Sequence, residues 1–247
     1  MPVFTCEQIR SLNNLEIEVY NYVITHMEKV LKLKIREVAD EVHVSTTTVL
    51  RFCAKMGCDG YAEFKFKLKD YMQEKHQDVK KEDYTLLINF IKHIQEEEFD
   101  ALLDRAVDMI MKRTTILFYG IGSSGTLGKY GARYLSDVGK YAQYIDDPFY
   151  PIPSSYNDNC VLIALSVSGE SREVLEEIKQ YKEKGTKIIS ITNTDNCTIA
   201  RMADVAIAYY MPLVKLEREY NITTQVPLVL ILETLGHKIQ HRLANEA

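Results

Sequence analysis

The sequence predicts a two-part chain: an all-α N-terminal domain, then an α/β domain whose five-stranded parallel sheet is flanked by helices. Three observations predict it. Residues 12–75 carry short helical periods and few strand signals. Residues 115–208 alternate apolar runs with amphipathic stretches, the pattern of repeated βα units under two covering layers. Between them, Glu74 to Asp83 reads EKHQDVKKED, polar and without apolar anchors, as a linker would. Domains are expected at 1–77 and 99–247, joined by a partly helical connection over 78–98.

Composition permits this division. Of 247 residues, 46% are hydrophobic and 26% charged, an ordinary globular mix that can build a core. The apolar run Val226 to Leu232 is too short to span a bilayer, and no signal peptide is visible at the N-terminus. A cytoplasmic location without a membrane partner is expected. Five cysteines (Cys6, Cys53, Cys58, Cys160 and Cys197) include no C-x-x-C, so reduced thiols are expected. His43, Cys53 and Cys58 fit no common zinc spacing and lack a fourth ligand, so no metal is expected. Net charge is −5, unevenly placed: residues 1–80 hold 12 basic and 12 acidic groups, and the remainder carries the whole excess. The N-terminal part is therefore the better partner for a polyanion.

Within that part the informative stretch is Ile35 to Gly57, IREVADEVHVSTTTVLRFCAKMG. Ile35, Val38, Ala39 and Val42 recur as one face of a short helix. His43-Val44 makes a tight connection, and Ser45 is a good N-cap for the next helix. Val49, Phe52, Cys53 and Met56 form its inner face, and Gly57 stops it. Thr46, Thr47, Thr48, Arg51 and Lys55 are left for the outer face. Three adjacent threonines are poor helix formers. They suit a helix start that enters a major groove, where hydroxyls reach phosphates or base edges and methyls meet thymine. Arg51 can reach guanine or a phosphate. Lys32, Lys34 and Arg36 upstream, with Lys65, Lys67 and Lys69 downstream, can grip the DNA backbone. The pattern alone fits equally a plain pair of helices with a solvated face. The longer run, ending in GCDGYAEFK, resembles the N-terminal domain of RpiR-type bacterial transcription regulators over about residues 1–77. The resemblance implies a helix-turn-helix that reads double-stranded operator DNA as part of a dimer. Its DNA contacts are expected at Lys34, Arg36, Ser45, Thr46, Thr47, Thr48, Arg51 and Lys55.

In the second part, strands are expected at 115–119, 141–145, 160–165, 187–191 and 204–208. Helices are expected at 124–138, 169–184 and 196–203, with others near 84–95, 98–112 and 224–242. Tyr119 to Gly125 reads YGIGSSG, the G-x-G-x-x-G spacing of a dinucleotide loop. Such a turn at a helix start offers free N–H groups to any anion. Asp146 and Asp147 after the next strand keep NAD open as a ligand. Ser123 and Ser124 favour a terminal phosphate, whose oxygens accept extra hydroxyl donors. A second strand-to-helix turn reads Ser166-Val167-Ser168-Gly169-Glu170-Ser171. A helix cap needs one serine there; convergence on a phosphate uses three.

The two loops resemble the SIS (sugar isomerase) domain, a flavodoxin-like doubly wound fold, over about residues 100–240. Gly120, Gly122, Ser123 and Ser124 match its first motif; Ser166, Ser168, Gly169 and Ser171 match its second. Thr192-Asn193 also fits. The resemblance implies a phosphorylated sugar held by Gly122, Ser123, Ser124, Ser166, Ser168, Gly169 and Ser171, with no cofactor. Gly125 then looks incidental. Two departures stand out: Val167 replaces a commonly polar residue, and Asn221-Ile222 replaces a Ser-Arg pair ahead of the glutamine matched by Gln225.

An aldose–ketose isomerase needs a carboxylate base and an acid such as histidine. Glu170, Glu217, Glu219, Glu233, His93, His237 and His241 are available but form no recognisable catalytic set. The expected function is a regulator of carbohydrate metabolism, not an enzyme, whose DNA binding responds to a sugar phosphate. It is expected to act as a homodimer or homotetramer on half-sites about 34–36 Å apart or a multiple of that. A phosphosugar isomerase and an NAD-binding redox-sensing regulator are the alternatives.

Overall fold

A computed structural model describes residues 4, 6–76, 84–149, 159–214, 216 and 220–246. They divide into two compact units: Met1–Phe90 with Tyr210–Thr223, and Ile91–Tyr209 with Thr224–Ala247. The core of the expected linker, residues 77–83, lies outside the described residues, as do Glu217 and Glu219.

The first unit is helical: α1 (Cys6–Arg10), α2 (Asn14–Thr25), α3 (Met27–Lys32), α4 (Ile35–Glu41), α5 (Thr46–Lys55) and α6 (Tyr61–His76). Helix α2 starts with a capping box. Asn13 Oδ1 accepts from Glu16 N–H at 3.0 Å, and Glu16 Oε2 accepts from Asn13 N–H at 2.9 Å. Between α4 and α5 the chain turns at His43, whose φ of 56° is left-handed. Val44 N–H then reaches Ala39 O at 2.9 Å, closing the turn. Ser45 caps α5 as expected, accepting from Thr48 N–H at 3.1 Å. Gly57, at φ 72°, ends that region in the left-handed conformation. An aromatic core joins the helices: Phe52 meets Phe64 edge-on at 5.3 Å, and Phe4 meets Tyr20 at 5.4 Å. Tyr61 Oη and Lys65 Nζ both donate to Leu33 O, satisfying a carbonyl at the end of α3.

Helix α7 (Thr85–His93) contains the boundary at Phe90–Ile91, and α8 (Glu97–Met111) follows in the second unit. Then come β1 (Thr115–Gly120), α9 (Gly122–Asp137), β2 (Ala142–Tyr144), β3 (Cys160–Ser166), α10 (Arg172–Glu183), β4 (Lys187–Thr192), α11 (Thr198–Met202), β5 (Val205–Ala208) and α12 (Val226–Glu246). All strand pairs are parallel and the order is β2-β1-β3-β4-β5. The alternating pattern led to the parallel sheet, and this flavodoxin-like doubly wound order is the one the SIS resemblance implies. Every residue of β3 is buried, which its unbroken run CVLIALS requires of a central strand covered on both faces. Leu117 and Tyr119 of β1 pack with Val174 and Ile178 of α10 and Ile199 of α11. Alternation turns Phe118 to the opposite face, beneath Gly131 of α9 and Leu232 of α12. Helix α10 starts three residues later than expected, because residues 166–171 are needed for the turn itself.

Candidate functional site

The strand order reverses between β1 and β3, which are neighbours with Gly120 opposite Leu165. Ligands in such sheets bind at this switch point, outside the carboxyl ends of the strands. Both serine loops leave there.

In the first loop, Gly122 takes φ 57°, a left-handed value that suits glycine. Helix α9 follows at once with no side-chain cap, so its first N–H groups face outward with the positive end of the helix dipole. Ser124 is buried and donates to Gln225 Oε1 at 3.0 Å, while Gln225 Nε2 donates to Ser123 Oγ at 2.6 Å. Gly125 is not incidental, contrary to the sequence reading. A Cβ there would stand 2.6 Å from Tyr144 Oη and 2.7 Å from Gly120 O. It permits the close helix–strand approach that the third glycine of a dinucleotide loop also serves.

In the second loop, Ser166 is buried, accepts from Gly169 N–H at 3.1 Å and lies 2.9 Å from Ser171 Oγ. Ser168 is exposed and accepts from Glu170 N–H at 3.2 Å. Ser171 occupies the N-cap position of α10 yet makes no capping bond. Its hydroxyl is thus turned to Ser166, and the helix's first N–H groups are left for another acceptor. Gly169 has φ 67°, and a Cβ there would run into Cys197 Sγ. Val167 is buried and its carbonyl accepts from Asn193 N–H at 3.3 Å. Its side chain therefore packs inward rather than standing in place of a ligand-facing polar group.

Four of the groups weighed as catalytic, Glu170, Glu233, His93 and His237, are engaged elsewhere. Glu170 Oε1 accepts from Thr198 N–H at 2.7 Å, capping α11, and Glu233 Oε1 accepts from Tyr130 Oη at 2.6 Å. His93 pairs with Glu96 at 2.7 Å, and His237 Nε2 lies 3.1 Å from Tyr134 Oη. Of the two aspartates that keep a ribose site open, Asp146 pairs with Lys129 and Asp147 Oδ1 accepts from Phe149 N–H at 2.9 Å. Among the described residues no cluster of three or more His, Cys, Asp or Glu side chains could hold a metal.

The α4–α5 face differs from the sequence reading in two places. Thr48 is buried, not outward, because it lies beside Val49 and one turn before Phe52; its Oγ1 sits 3.0 Å from Ser45 Oγ. Lys55 stays exposed, but its Nζ is tied 2.6 Å from Oε2 of Glu16, a carboxylate only 1% exposed. Burial pushes Glu16 up, but the bonds from Lys55 and Asn13 and the charges of Lys55 and Arg51 outweigh it and hold it below the usual range. Arg51 Nε stands 3.6 Å from Glu16 Oε1 with its side chain 56% exposed. Lys34, Arg36, Ser45, Thr47 and Arg51 are exposed, and Thr46 is half-buried. Leu50 joins that face at 46% exposure. Its sequence signal is a leucine beside Arg51 on the polar side of an amphipathic helix. Lys65 and Lys67 are occupied by carbonyls, Lys65 at Leu31 and Leu33 and Lys67 at Gly57, so they are not free cations.

A helix-turn-helix unit and a doubly wound α/β unit with serine-lined switch-point loops define a DNA-binding regulator with a SIS domain. Two family models agree: "Helix-turn-helix domain, rpiR family" matches residues 6–75 and "SIS domain" matches residues 109–230. The chain thus carries an RpiR-family helix-turn-helix domain followed by a SIS domain, the make-up of RpiR-type transcription regulators. It is 27% identical over 236 residues to the HTH-type transcriptional regulator GlvR of Bacillus subtilis, covering 91% of this chain and 89% of that one. Among solved structures, the Vibrio vulnificus NanR protein complexed with ManNAc-6P matches 97% of this chain and 92% of its own, with TM-score 0.55 and 20% identity. Protein MJ1247 of Methanococcus jannaschii, for which 3-hexulose-6-phosphate isomerase function was inferred, matches 64% of this chain and 86% of its own, with TM-score 0.52 and 24% identity. No helix among the described residues is long and apolar enough to cross a membrane.

Proposed function

We propose that this regulator of carbohydrate metabolism binds operator DNA under the control of a phosphorylated sugar. One observation carries the ligand side of the reading. Two helix starts without side-chain caps, at α9 and α10, stand beside Ser123, Ser124, Ser166 and Ser171 at adjacent strand ends. Uncapped N–H groups with flanking hydroxyls are what a phosphate monoester needs. Gly122, Ser123, Ser124, Ser166, Ser168, Gly169 and Ser171 form the cradle, and Gln225 joins them. NanR, of like fold, is complexed with ManNAc-6P, in keeping with a sugar phosphate here.

On the DNA side, Thr46, Thr47, Leu50 and Arg51 face the major groove, and Lys34 and Arg36 contact phosphates. Ser45 fixes the helix start, Thr48 supports it from within, and Lys55 is held at the surface by Glu16. The protein works in the cytoplasm as a homodimer or homotetramer, which presents two reading helices to two half-sites. It acts as a regulator and not as an isomerase: Glu170 and Glu233, two of the carboxylates an isomerase could use, are engaged in capping and helix pairing. Residues 1–77 form the reading domain, 78–98 the connection and 99–247 the sensor.

Chain connectivity supplies the coupling. After β5, Tyr210–Thr223 packs with the helical unit, where Leu213 N–H donates to Asn21 Oδ1 of α2 at 3.4 Å. The segment is closed on itself by Ile222 N–H to Val214 O at 2.9 Å. Two residues past it comes Gln225, bonded to both first-loop serines. A ligand that competes for Ser123 and Ser124 pulls on this segment, so ligand and DNA affinities become linked.

The test titrates purified protein with sugar phosphates and NAD(H) by thermal shift, and measures operator binding with and without the stabilising ligand. A Ser166→Ala, Ser168→Ala double variant is expected to lose the ligand response and keep DNA binding. Stabilisation by NAD(H) alone, or turnover of the sugar phosphate, overturns the reading.

A further inference from the structure

At the amino ends of the strands, opposite the serine loops, the C-terminal half of α8 and the starts of β4 and β5 line an open pocket of about 330 Å³. Its polar lining is Arg105, Asp108, Lys112, Arg113, Lys187 and Asp204. Both carboxylates are already spent. Asp204 Oδ1 lies 2.7 Å from Lys187 Nζ, and its Oδ2 accepts from Ile188 N–H at 2.9 Å. Asp108 Oδ1 lies 3.0 Å from Arg242 Nη1 on α12. Arg105, Lys112 and Arg113 thus keep three formal positive charges with no carboxylate partner among the described residues.

Arg113 lines the same pocket and its guanidinium is weakly held. Its Nε is buried and has no acceptor, and its Nη1 makes only a long 3.4 Å contact to Lys112 O. A guanidinium N–H hidden from water without an acceptor is costly, and native structures seldom leave one. The backbone that carries it is fixed: Arg113 N–H bonds Ile110 O at 3.0 Å, and Arg113 O accepts from Lys140 Nζ at 3.1 Å. Cations near the end of α8 also answer the helix dipole. That role needs neither a pocket nor a buried, unpaired Nε.

We propose that this pocket is a second anion site, separate from the serine cradle, for a small metabolite carrying two or more negative charges on phosphate or carboxylate groups. Met109 and Val205 give it apolar walls, and its volume falls at the small end of ligand pockets. A charged fork at Arg113, flanked by Arg105 and Lys112, matches a planar or tetrahedral oxyanion.

The experiment uses full-length protein carrying Ser166→Ala and Ser168→Ala, so that the cradle is silent. Pyrophosphate and citrate are titrated into it calorimetrically, with acetate as the monovalent control. One-to-one binding of pyrophosphate or citrate, but not acetate, is expected; whichever binds identifies the phosphate or the carboxylate source. Adding Arg105→Ala on α8 and Lys112→Ala at its C-cap, both exposed, should weaken it at least tenfold with the melting temperature preserved. Arg113→Met should abolish it. No saturable binding of either probe, or binding that survives the Arg105 and Lys112 changes, overturns the proposal.

Discussion

Gln225 Nε2 donates to Ser123 Oγ at 2.6 Å across 102 residues of sequence. The same amide accepts from Ser124, so one side chain orients both hydroxyls of the first loop. Gln225→Ala should therefore weaken sugar-phosphate binding by tenfold to a hundredfold, from the loss of about 1–3 kcal/mol in orienting bonds. DNA affinity without ligand should stay near wild type. Calorimetry and fluorescence anisotropy read the two; an unchanged ligand affinity would mean that Gln225 only fixes the entry to α12.

Arg51 and Lys55 lie one turn apart yet should fail differently. Arg51→Ala should weaken operator binding and flatten its salt dependence, with little change in melting temperature. Lys55→Ala removes the cation bonded to buried Glu16, so it should cost stability, about 1–3 kcal/mol, read by urea unfolding. Equal stability losses in the two variants would contradict this division.

Glu177 makes stability depend on pH. It is buried, and its Oε2 has no hydrogen-bond partner. Burial, then the charge of Asp147, pushes its pKa up to about 7 from an ordinary 4.5. The folded state holds this proton more tightly than the unfolded one. Its contribution is therefore full below pH 4.5 and is lost as pH rises through about 7. The loss amounts to roughly 3 kcal/mol at most. Melting temperature should fall across this window, and Glu177→Gln should flatten the fall. A variant with the wild-type slope would place the titration elsewhere.

Two left-handed glycines should differ in sensitivity. A Cβ at Gly57 meets nothing nearer than Gln8 Nε2 at 3.8 Å, so Gly57→Ala should cost about 1 kcal/mol, the conformational penalty alone. At Gly169 the same change also collides with Cys197, and about 2–5 kcal/mol is expected. Thermal unfolding of both variants checks the ranking; similar losses would show that the second loop can shift.

The sequence by itself determined the element order, the parallel sheet and the position of both loops. These follow from local periodicity and from glycine and serine placed at strand ends, which act over a few residues. The Ser45 cap and the Gly57 stop were legible for the same reason. Only the tertiary structure decided which polar side chains face inward and which are tied to a buried partner. Thr48 follows the narrow buried side of α5, and Lys55 answers Glu16, a partner 39 residues away. Gln225 meets Ser124 across 101 residues, and the Tyr210–Thr223 segment packs among helices from the other end of the chain. A buried charge must find its partner wherever the fold brings one, and periodicity carries no record of that pairing. Gly125 is the clearest case: its spacing was visible, but its purpose, the close approach of α9 to Gly120 and Tyr144, exists only once strand and helix are packed.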